Sequence, residues 1–333
     1  MQGLVERGSI PTSGARARIR VPSQCETIRQ DHPVVAWPSE EIWVASVLSA
    51  IVGRVIPCEV SLRISCIVVC YNQETTIGDA ILSLVRQTRP PDEILVADDA
   101  STDGSRDLIR ALANSHPRIT PVLRETNLGV SANRDLAVRQ ATGDFVTTLD
   151  GDDYVLPPKL ERECEAIERT SASVAYSTRR FIHESRGTSW IADLPPLDRL
   201  DARERLRSLV SRRTWAPLGM LMPKTVHIEI GGYRHELRVY EDWDYKIRLA
   251  ASPATWVNSG VEGVVVRVHD RRGEGLSTMP PYRHALAQLT VMKANRELIC
   301  DELGPAFYYG VAGRVLAKSM KWQLKELVGK LRS

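Results

Sequence analysis

Hydrophobic and polar residues fall into a repeating pattern from about Ser61 onward. Ile64 to Val69 is a nearly continuous apolar run rich in β-branched residues, which predicts a strand covered on both faces. Thr76 to Gln87 then sets Ile77, Ala80, Ile81, Leu84 and Val85 along one helix face, and Pro90-Pro91 stops it. Glu93 to Ala97 predicts a second strand, ending in Asp98-Asp99. Ser105 to Asn114 predicts a helix with Leu108, Ile109 and Leu112 on one side, and Ile119 to Leu123 a third strand. Ser131 to Gln140 predicts a third helix, with Thr142-Gly143 as its turn or C-cap, and Phe145 to Leu149 a strand that ends at Asp150. The order β-α-β-α-β-α-β argues for an α/β protein with a mostly parallel sheet and flanking helices.

The two ends of the chain differ from this middle. Residues 1 to about 40 hold Gly, Pro, Ser, Thr and Arg without periodicity and read as poorly ordered. Ile42 to Gly53 is nearly apolar, but it falls short of the ~18 to 20 residues needed to cross a bilayer, so a short amphipathic or interfacial segment is expected. From Pro281 onward Leu286, Leu289 and Met292, then Leu316, Met320, Leu324 and Leu327, recur at helical spacing. Val311 to Ser333 carries Arg314, Lys318, Lys321, Lys325, Lys330 and Arg332 against Glu326 alone, a basic amphipathic pattern that suits an anionic membrane surface or a solvated helix face.

Composition changes this picture little. Of 333 residues 43% are hydrophobic and 26% charged, as in soluble globular proteins. A net charge of +3 is too small to argue for nucleic acid as a partner. The six cysteines form no CxxC pair, the N-terminus has no cleavable secretory signal, and free thiols in a reducing cytosol are expected.

The candidate chemistry lies where strands end. Tyr71-Asn72, Asp98-Asp99 and Asp150-Gly151-Asp152-Asp153 each follow a predicted strand, and open sheets of this kind bind ligands outside the carboxyl ends of their strands. Three carboxylates this close raise one another's pKa unless a cation lies between them. Mg²⁺ takes one or two carboxylates plus substrate phosphates, so the cluster suggests a metal that itself holds a phosphate. An Asp- and Gly-rich turn is the plain alternative. The first strand-helix turn, Cys70 to Thr75, lacks the G-x-G-x-x-G of a dinucleotide site, and no Walker-type loop occurs, so no Gly-rich loop is present to cradle phosphate.

Taken in order, Ile67-Val68-Val69-Cys70-Tyr71-Asn72, Leu95-Val96-Ala97-Asp98-Asp99-Ala100-Ser101-Thr102-Asp103-Gly104, Asn127-Leu128-Gly129-Val130-Ser131 and Leu149-Asp150-Gly151-Asp152-Asp153 resemble the signatures of family 2 glycosyltransferases. Gly231-Gly232-Tyr233 and Glu241-Asp242-Trp243-Asp244-Tyr245 resemble that family's acceptor-side pair. The resemblance covers roughly Ser61 to Ser277. It implies the GT-A fold, a Rossmann-like nucleotide-diphospho-sugar transferase fold. It also implies transfer from a nucleotide-diphosphate sugar with inversion at the anomeric carbon, assisted by Mn²⁺ or Mg²⁺. Donor binding is then expected of Tyr71, Asn72, Asp99, Arg134, Asp150 and Asp152, and metal binding of Asp152, Asp153 and His269 of the Arg267-Val268-His269 element. Asp242 takes the catalytic-base position, with Glu241 as the alternative. Two departures stand out. Where the family often has Ala-Arg-Asn, this chain reads Ala132-Asn133-Arg134-Asp135, so an acid follows the arginine. The loop Arg271-Arg272-Gly273-Glu274-Gly275 before Leu276-Ser277 is longer than the pattern.

The expected organisation is a poorly ordered segment over 1–60, a glycosyltransferase catalytic domain over 61–280 and a helical tail over 281–333. The expected reaction serves glycan or polysaccharide biosynthesis in the cytoplasm, with a glycan or lipid-linked acceptor and peripheral contact at the inner membrane face as an option. Two readings from other classes stay open: a catalytically silent scaffold of the same fold, and a sugar-nucleotide nucleotidyltransferase. The latter ordinarily opens with a Gly-rich basic loop that is missing here. Glu241-Asp242 also reads simply as the acidic first turn of a helix.

Overall fold

The structure, a computed structural model, describes residues 62–192, 194–211, 217–268 and 279–332. They fall within one compact unit, Ser61–Ser333. The segment over 1–60, with its amphipathic stretch, and the residues His269 and Ser277 lie outside the described residues.

All seven residues of β1 (Ile64–Cys70) are buried, as its unbroken apolar pattern requires. It pairs in parallel with β2 (Glu93–Asp98) on one side and β4 (Phe145–Asp150) on the other, with Val68 opposite both Val96 and Leu149. Parallel pairing with β2 adds β3 (Ile119–Leu123). The period of two along β1 then divides the core. Ile64, Cys66, Val68 and Cys70 pack with Ile77, Ala80, Ile81 and Leu84 of α1 (Ile77–Val85) and Ile109 of α2 (Ser105–Ser115). Ile67 and Val69 face the opposite layer, with Ala137 and Val138 of α3 (Val130–Gln140). The Cys66 and Cys70 thiols are pushed up to about 12 by burial and behave as small hydrophobes. Cys66, Cys70, Cys164 and Cys300 are free.

After β4 the chain builds a second sheet in the order β5-β9-β6-β7, from β5 (Tyr154–Val155), β6 (Val174–His183), β7 (Thr188–Ile191) and β9 (Trp256–Arg267). The two-residue β8 (Met222–Pro223) runs antiparallel beside β4 at the edge of the first sheet. The long helices of this half are α4 (Lys159–Thr170), α5 (Ala202–Ser211) and α7 (Glu241–Ala251), with the single turn α6 (Lys224–Glu229) between the last two.

The tail is helical: α8 (Pro281–Ala294), α9 (Arg296–Leu303) and α10 (Pro305–Arg332). It is not a free appendage. Val291, Met292, Ile299, Leu303, Tyr308 and Val311 are buried in the same core cluster as Trp243 and Ile247 of α7. Asn295 donates to Asp244 Oδ1 at 2.7 Å, which ties the α8–α9 corner to α7. Beyond Val311, α10 turns described apolar residues outward, with Met320 67% and Leu324 63% exposed.

Candidate active site

The carboxyl ends of the parallel strands open into a cleft of about 1230 Å³. Its wall gathers Tyr71, Asn72, Arg134, Asp150, Asp152, Asp153, Glu241 and Asp242, contributed by segments far apart in sequence. The sheet brings two of the three post-strand stretches, Tyr71-Asn72 and Asp150 to Asp153, to one rim, while Asp98-Asp99 is buried outside the cleft lining.

The first wall is the loop after β1. Asn72 adopts a left-handed conformation (φ 52°), which Asn tolerates better than most residues. Its N–H donates to Ser101 Oγ at 2.9 Å and its Oδ1 accepts from the Thr102 N–H at 2.8 Å, so the loops after β1 and β2 hold each other. Tyr71 is left half exposed at the rim. Asp99 is placed differently from the others. It is buried behind the wall, and its two carboxylate oxygens accept the N–H groups of Leu128 and Gly129, both at 2.8 Å. It shapes the Asn127-Leu128-Gly129 loop rather than lining the cleft. Gly129 (φ 86°) sits where a side chain would be strained.

The turn after β4 carries the acids. Gly151 donates its N–H to the Val69 carbonyl at 2.9 Å, and an added Cβ there would run into Gln73 Oε1 and that carbonyl. Glycine is thus the residue that lets three aspartates close over the end of β1. Asp153 is buried and accepts the Arg267 N–H at 3.0 Å. Burial, then Asp150 and Asp152, push its carboxyl well above the ordinary carboxylate range, even against Arg267. Among the described residues no three His, Cys, Asp or Glu side chains are grouped to close a metal shell on their own. The donors of this turn are all oxygen, which suits a hard divalent cation that keeps part of its shell for phosphate.

Arg134, on α3, links the two sides of the cleft. Its buried guanidinium donates through Nη1 to Glu241 Oε1 at 2.9 Å and through Nη2 to Asp150, and it lies 5.2 Å over the Tyr233 ring. Burial opposes its charge, but Asp150, Tyr233 and Glu241 outweigh that and hold it firmly protonated. Its donors are directed at protein carboxylates, so it positions the site from within.

Glu241 and Asp242 begin α7, as an acidic first turn should. One helical step separates their surroundings. Glu241 is buried on Arg134, and burial, with Asp242 and Asp150 adding to it, raises its carboxyl pKa despite that arginine. The Asp242 carboxylate is 39% exposed to the cleft and accepts from Lys246 Nζ at 2.7 Å. Burial works against its charge too, but Lys246, then Arg134 and Arg179, hold it below the usual carboxylate range. Trp243 is buried and donates Nε1–H to the Leu209 carbonyl at 3.0 Å, a core residue.

Sequence reasoning passed over two basic side chains of this cleft, Lys246 and Arg179. Lys246 was legible, since it lies four residues after Asp242 on a helix. Arg179, on β6, was not. The pairing of β6 with β9 shifts register between Tyr176 and Arg179, and such bulges re-aim side chains in ways no strand pattern announces.

The fold is of the GT-A type, with the acids of its cleft at the carboxyl edge of a parallel sheet. The profile of the family Glycosyl transferase family 2 matches residues 65–232, half of the chain, and the chain belongs to that family. The uncharacterized protein Rv1520 of Mycobacterium tuberculosis is 34% identical over 137 residues, 40% of this chain and 39% of that protein, so the chain spans well under half the length of that relative. The uncharacterized glycosyltransferase YwdF of Bacillus subtilis is 29% identical over 191 residues, 57% of this chain and 68% of that protein. Among solved structures, Staphylococcus aureus TarS 1–349 in complex with UDP-GlcNAc superposes with a TM-score of 0.58 at 20% identity, covering 77% of this chain and 72% of that one. At that identity the likeness is one of fold.

Proposed function

We propose that this glycosyltransferase moves a sugar from a nucleoside-diphosphate sugar to an acceptor hydroxyl with inversion at the anomeric carbon, assisted by Mn²⁺ or Mg²⁺. The observation that carries the reading is the pairing of two unlike acidic groups in one cleft. At one side lies the oxygen-rich turn of Asp150, Asp152 and Asp153, and at the other Asp242, kept ionised by Lys246. In a single displacement the acceptor hydroxyl attacks from the face opposite the leaving diphosphate, and Asp242 accepts its proton. Asp152 and Asp153 are the residues that would hold the ion, and the ion when bound neutralises charge on the leaving phosphates as a Lewis acid. Arg134 keeps Asp150 and Glu241 in register across the cleft, while Tyr71 and Asn72 border the donor side.

UDP-GlcNAc and UDP occupy structures of TarS, which supports a uridine nucleotide as the donor to try first. A Bacillus subtilis relative, TuaG, 33% identical over 114 residues, 34% of this chain and 45% of that protein, is provisionally named for teichuronic acid biosynthesis. That name favours a cell-envelope polysaccharide as the product class. Titration calorimetry of UDP with Mn²⁺ and with chelator tests the reading. Binding that requires the ion supports it, and equal affinity in both removes the metal from the mechanism.

The outer half of α10 supports a contact at a membrane surface. Leu316, Met320 and Leu324 recur every fourth residue as an exposed stripe, with exposed Arg314, Lys318 and Lys321 beside it. Among the described residues no helix is long and apolar enough to cross a membrane.

A further inference from the structure

β7 is the free edge of the second sheet, and all four of its residues are exposed. Trp190 stands there directly opposite Phe181 of β6. Their rings are stacked, with centroids 5.2 Å apart and planes 16° from parallel. Phe181 covers part of the indole, yet Trp190 remains 44% exposed, while Ile191, the next residue of the strand, is exposed on the opposite face. An indole braced by a second ring and left open to solvent offers a flat apolar face for contact.

This aromatic pair continues the cleft. Phe181 lines it, and the Arg179 guanidinium, which also lines it, lies 5.1 Å over the Phe181 ring. Burial lowers the Arg179 pKa, while Asp242 and then Asp153 act on it in the opposite sense, so the guanidinium stands within the field of both sides of the site. Asp242, Arg179 and Phe181 thus line one cleft, and Trp190, stacked on Phe181, carries it to the exposed sheet edge. Cross-strand register fixes its outer end, because Phe181 and Trp190 are paired residues on one face of the hairpin.

We propose that Phe181 and Trp190 form an acceptor subsite, in which the open indole surface stacks on a pyranose ring of a glycan acceptor. The inference rests on the glycosyl-transfer reading and names the acceptor class for it. A pyranose has an apolar face of C–H groups, which matches the electron-rich face of an indole, while its hydroxyls at the ring edge stay solvated. The subsite lies outward of Asp242, so it holds a sugar unit next to the one that is attacked. It sets acceptor preference and leaves the donor alone.

The test uses the full chain, wild type and the variants Trp190→Ala and Trp190→Phe, on an array of immobilised bacterial oligosaccharides, with UDP affinity measured in parallel by calorimetry. Wild type is expected to retain a set of glycans. Trp190→Ala should weaken those by about tenfold or more, and Trp190→Phe by less, since a ring remains to stack. UDP affinity should be the same in all three proteins. Unchanged glycan binding by Trp190→Ala overturns the proposal. A parallel loss of UDP affinity overturns it too, since the hairpin would then be supporting the whole fold. A wild type that binds UDP but no glycan overturns the sugar as occupant. A wild type that binds no UDP or other nucleoside diphosphate fells the glycosyl-transfer reading, and the subsite with it.

Discussion

Lys246 Nζ lies 2.7 Å from Asp242 Oδ2, one turn further along α7. The contact helps keep the proposed base ionised into acidic pH, because Lys246, with Arg134 and Arg179, outweighs the burial that would otherwise raise the Asp242 pKa. The acid limb of kcat/KM should therefore lie below the ordinary carboxylate range. Removing the cation in Lys246→Met raises the Asp242 pKa, so that limb should move to higher pH. A pH–rate profile for both proteins checks it, and coincident acid limbs would separate Asp242 from the rate. Asp242→Asn should lower kcat by about 10² to 10⁴-fold while donor binding stays nearly intact. Asp152→Asn should differ by weakening metal-dependent UDP binding as well as rate. If Asp242→Asn kept its turnover and Glu241→Gln lost it, the base would be the neighbouring carboxylate.

Arg134 is the buried link between Asp150 and Glu241. Replacing it by Met leaves the buried Glu241 carboxylate without its partner, across from the half-exposed Asp150. Removing one partner of a buried pair costs about 3 to 5 kcal/mol, so Arg134→Met should show a clearly lower unfolding midpoint in urea. Adding Glu241→Gln removes one of the stranded charges and should restore part of that loss. A double-mutant cycle reads the coupling directly, and simple additivity would mean that the two side chains do not depend on each other.

The four parallel strands of the first sheet were legible in the sequence because they are local, whereas its antiparallel edge strand β8, from much further along the chain, was not. Each strand, turn and helix from Ile64 to Asp150 is specified by its own period, and only the parallel pairing had to be inferred. The second sheet was not. β6 and β9 meet through contacts such as Arg180 with Glu262, 82 residues apart, and two register shifts interrupt their pairing. Arg179 and Phe181 belong to that sheet, so the site residues they supply were hidden with it. Asp99 shows a different limit. Its place after β2 was readable, but that its carboxylate turns back to the Leu128 and Gly129 amides depends on the loop after β3. The resemblance ranks Asp242 ahead of Glu241, but the physical difference between them, one step around a helix and the position of Arg134, is not written in the sequence.

Asp135 follows Arg134 where the family pattern often has Asn, and four donors converge on it. His227 Nε2 and the Tyr233 N–H reach its Oδ1 at 3.0 and 2.9 Å, and His235 Nε2 and Arg139 Nε its Oδ2 at 3.0 and 2.8 Å. Burial opposes its charge, but these bonds hold its pKa far below the ordinary value. A depressed folded-state pKa gives stability that is complete above the unfolded pKa of about 3.9 and fades as pH falls through the folded one. Asp135→Asn should accordingly cost about 1.5 to 3 kcal/mol at neutral pH, with the gap to wild type closing as the medium is acidified below about pH 4. Chemical denaturation at several pH values measures it. A constant gap would assign the loss to packing around Gly232-Tyr233 and not to the carboxylate's charge.

The outer half of α10 provides the last prediction. Among the described side chains of this helix Val311 is the last in the buried core, whereas Leu316, Met320 and Leu324 face outward with Arg314, Lys318 and Lys321 alongside. A helix laid on an anionic bilayer would bury that stripe and set the cations among the headgroups, each worth about 1 kcal/mol near the surface. The full chain should therefore sediment with vesicles of phosphatidylglycerol and phosphatidylcholine, and much less with phosphatidylcholine alone. Raising the salt should weaken the association, because the charge contribution is screened. Met320→Glu with Leu324→Glu should abolish it without lowering the unfolding midpoint, since neither side chain is buried in the core. The same variant should keep its turnover on a water-soluble acceptor and lose rate only on one embedded in vesicles, which ties the contact to acceptor access. Binding that is equal on neutral vesicles, or that survives the double substitution, would return this face to an ordinary solvated helix.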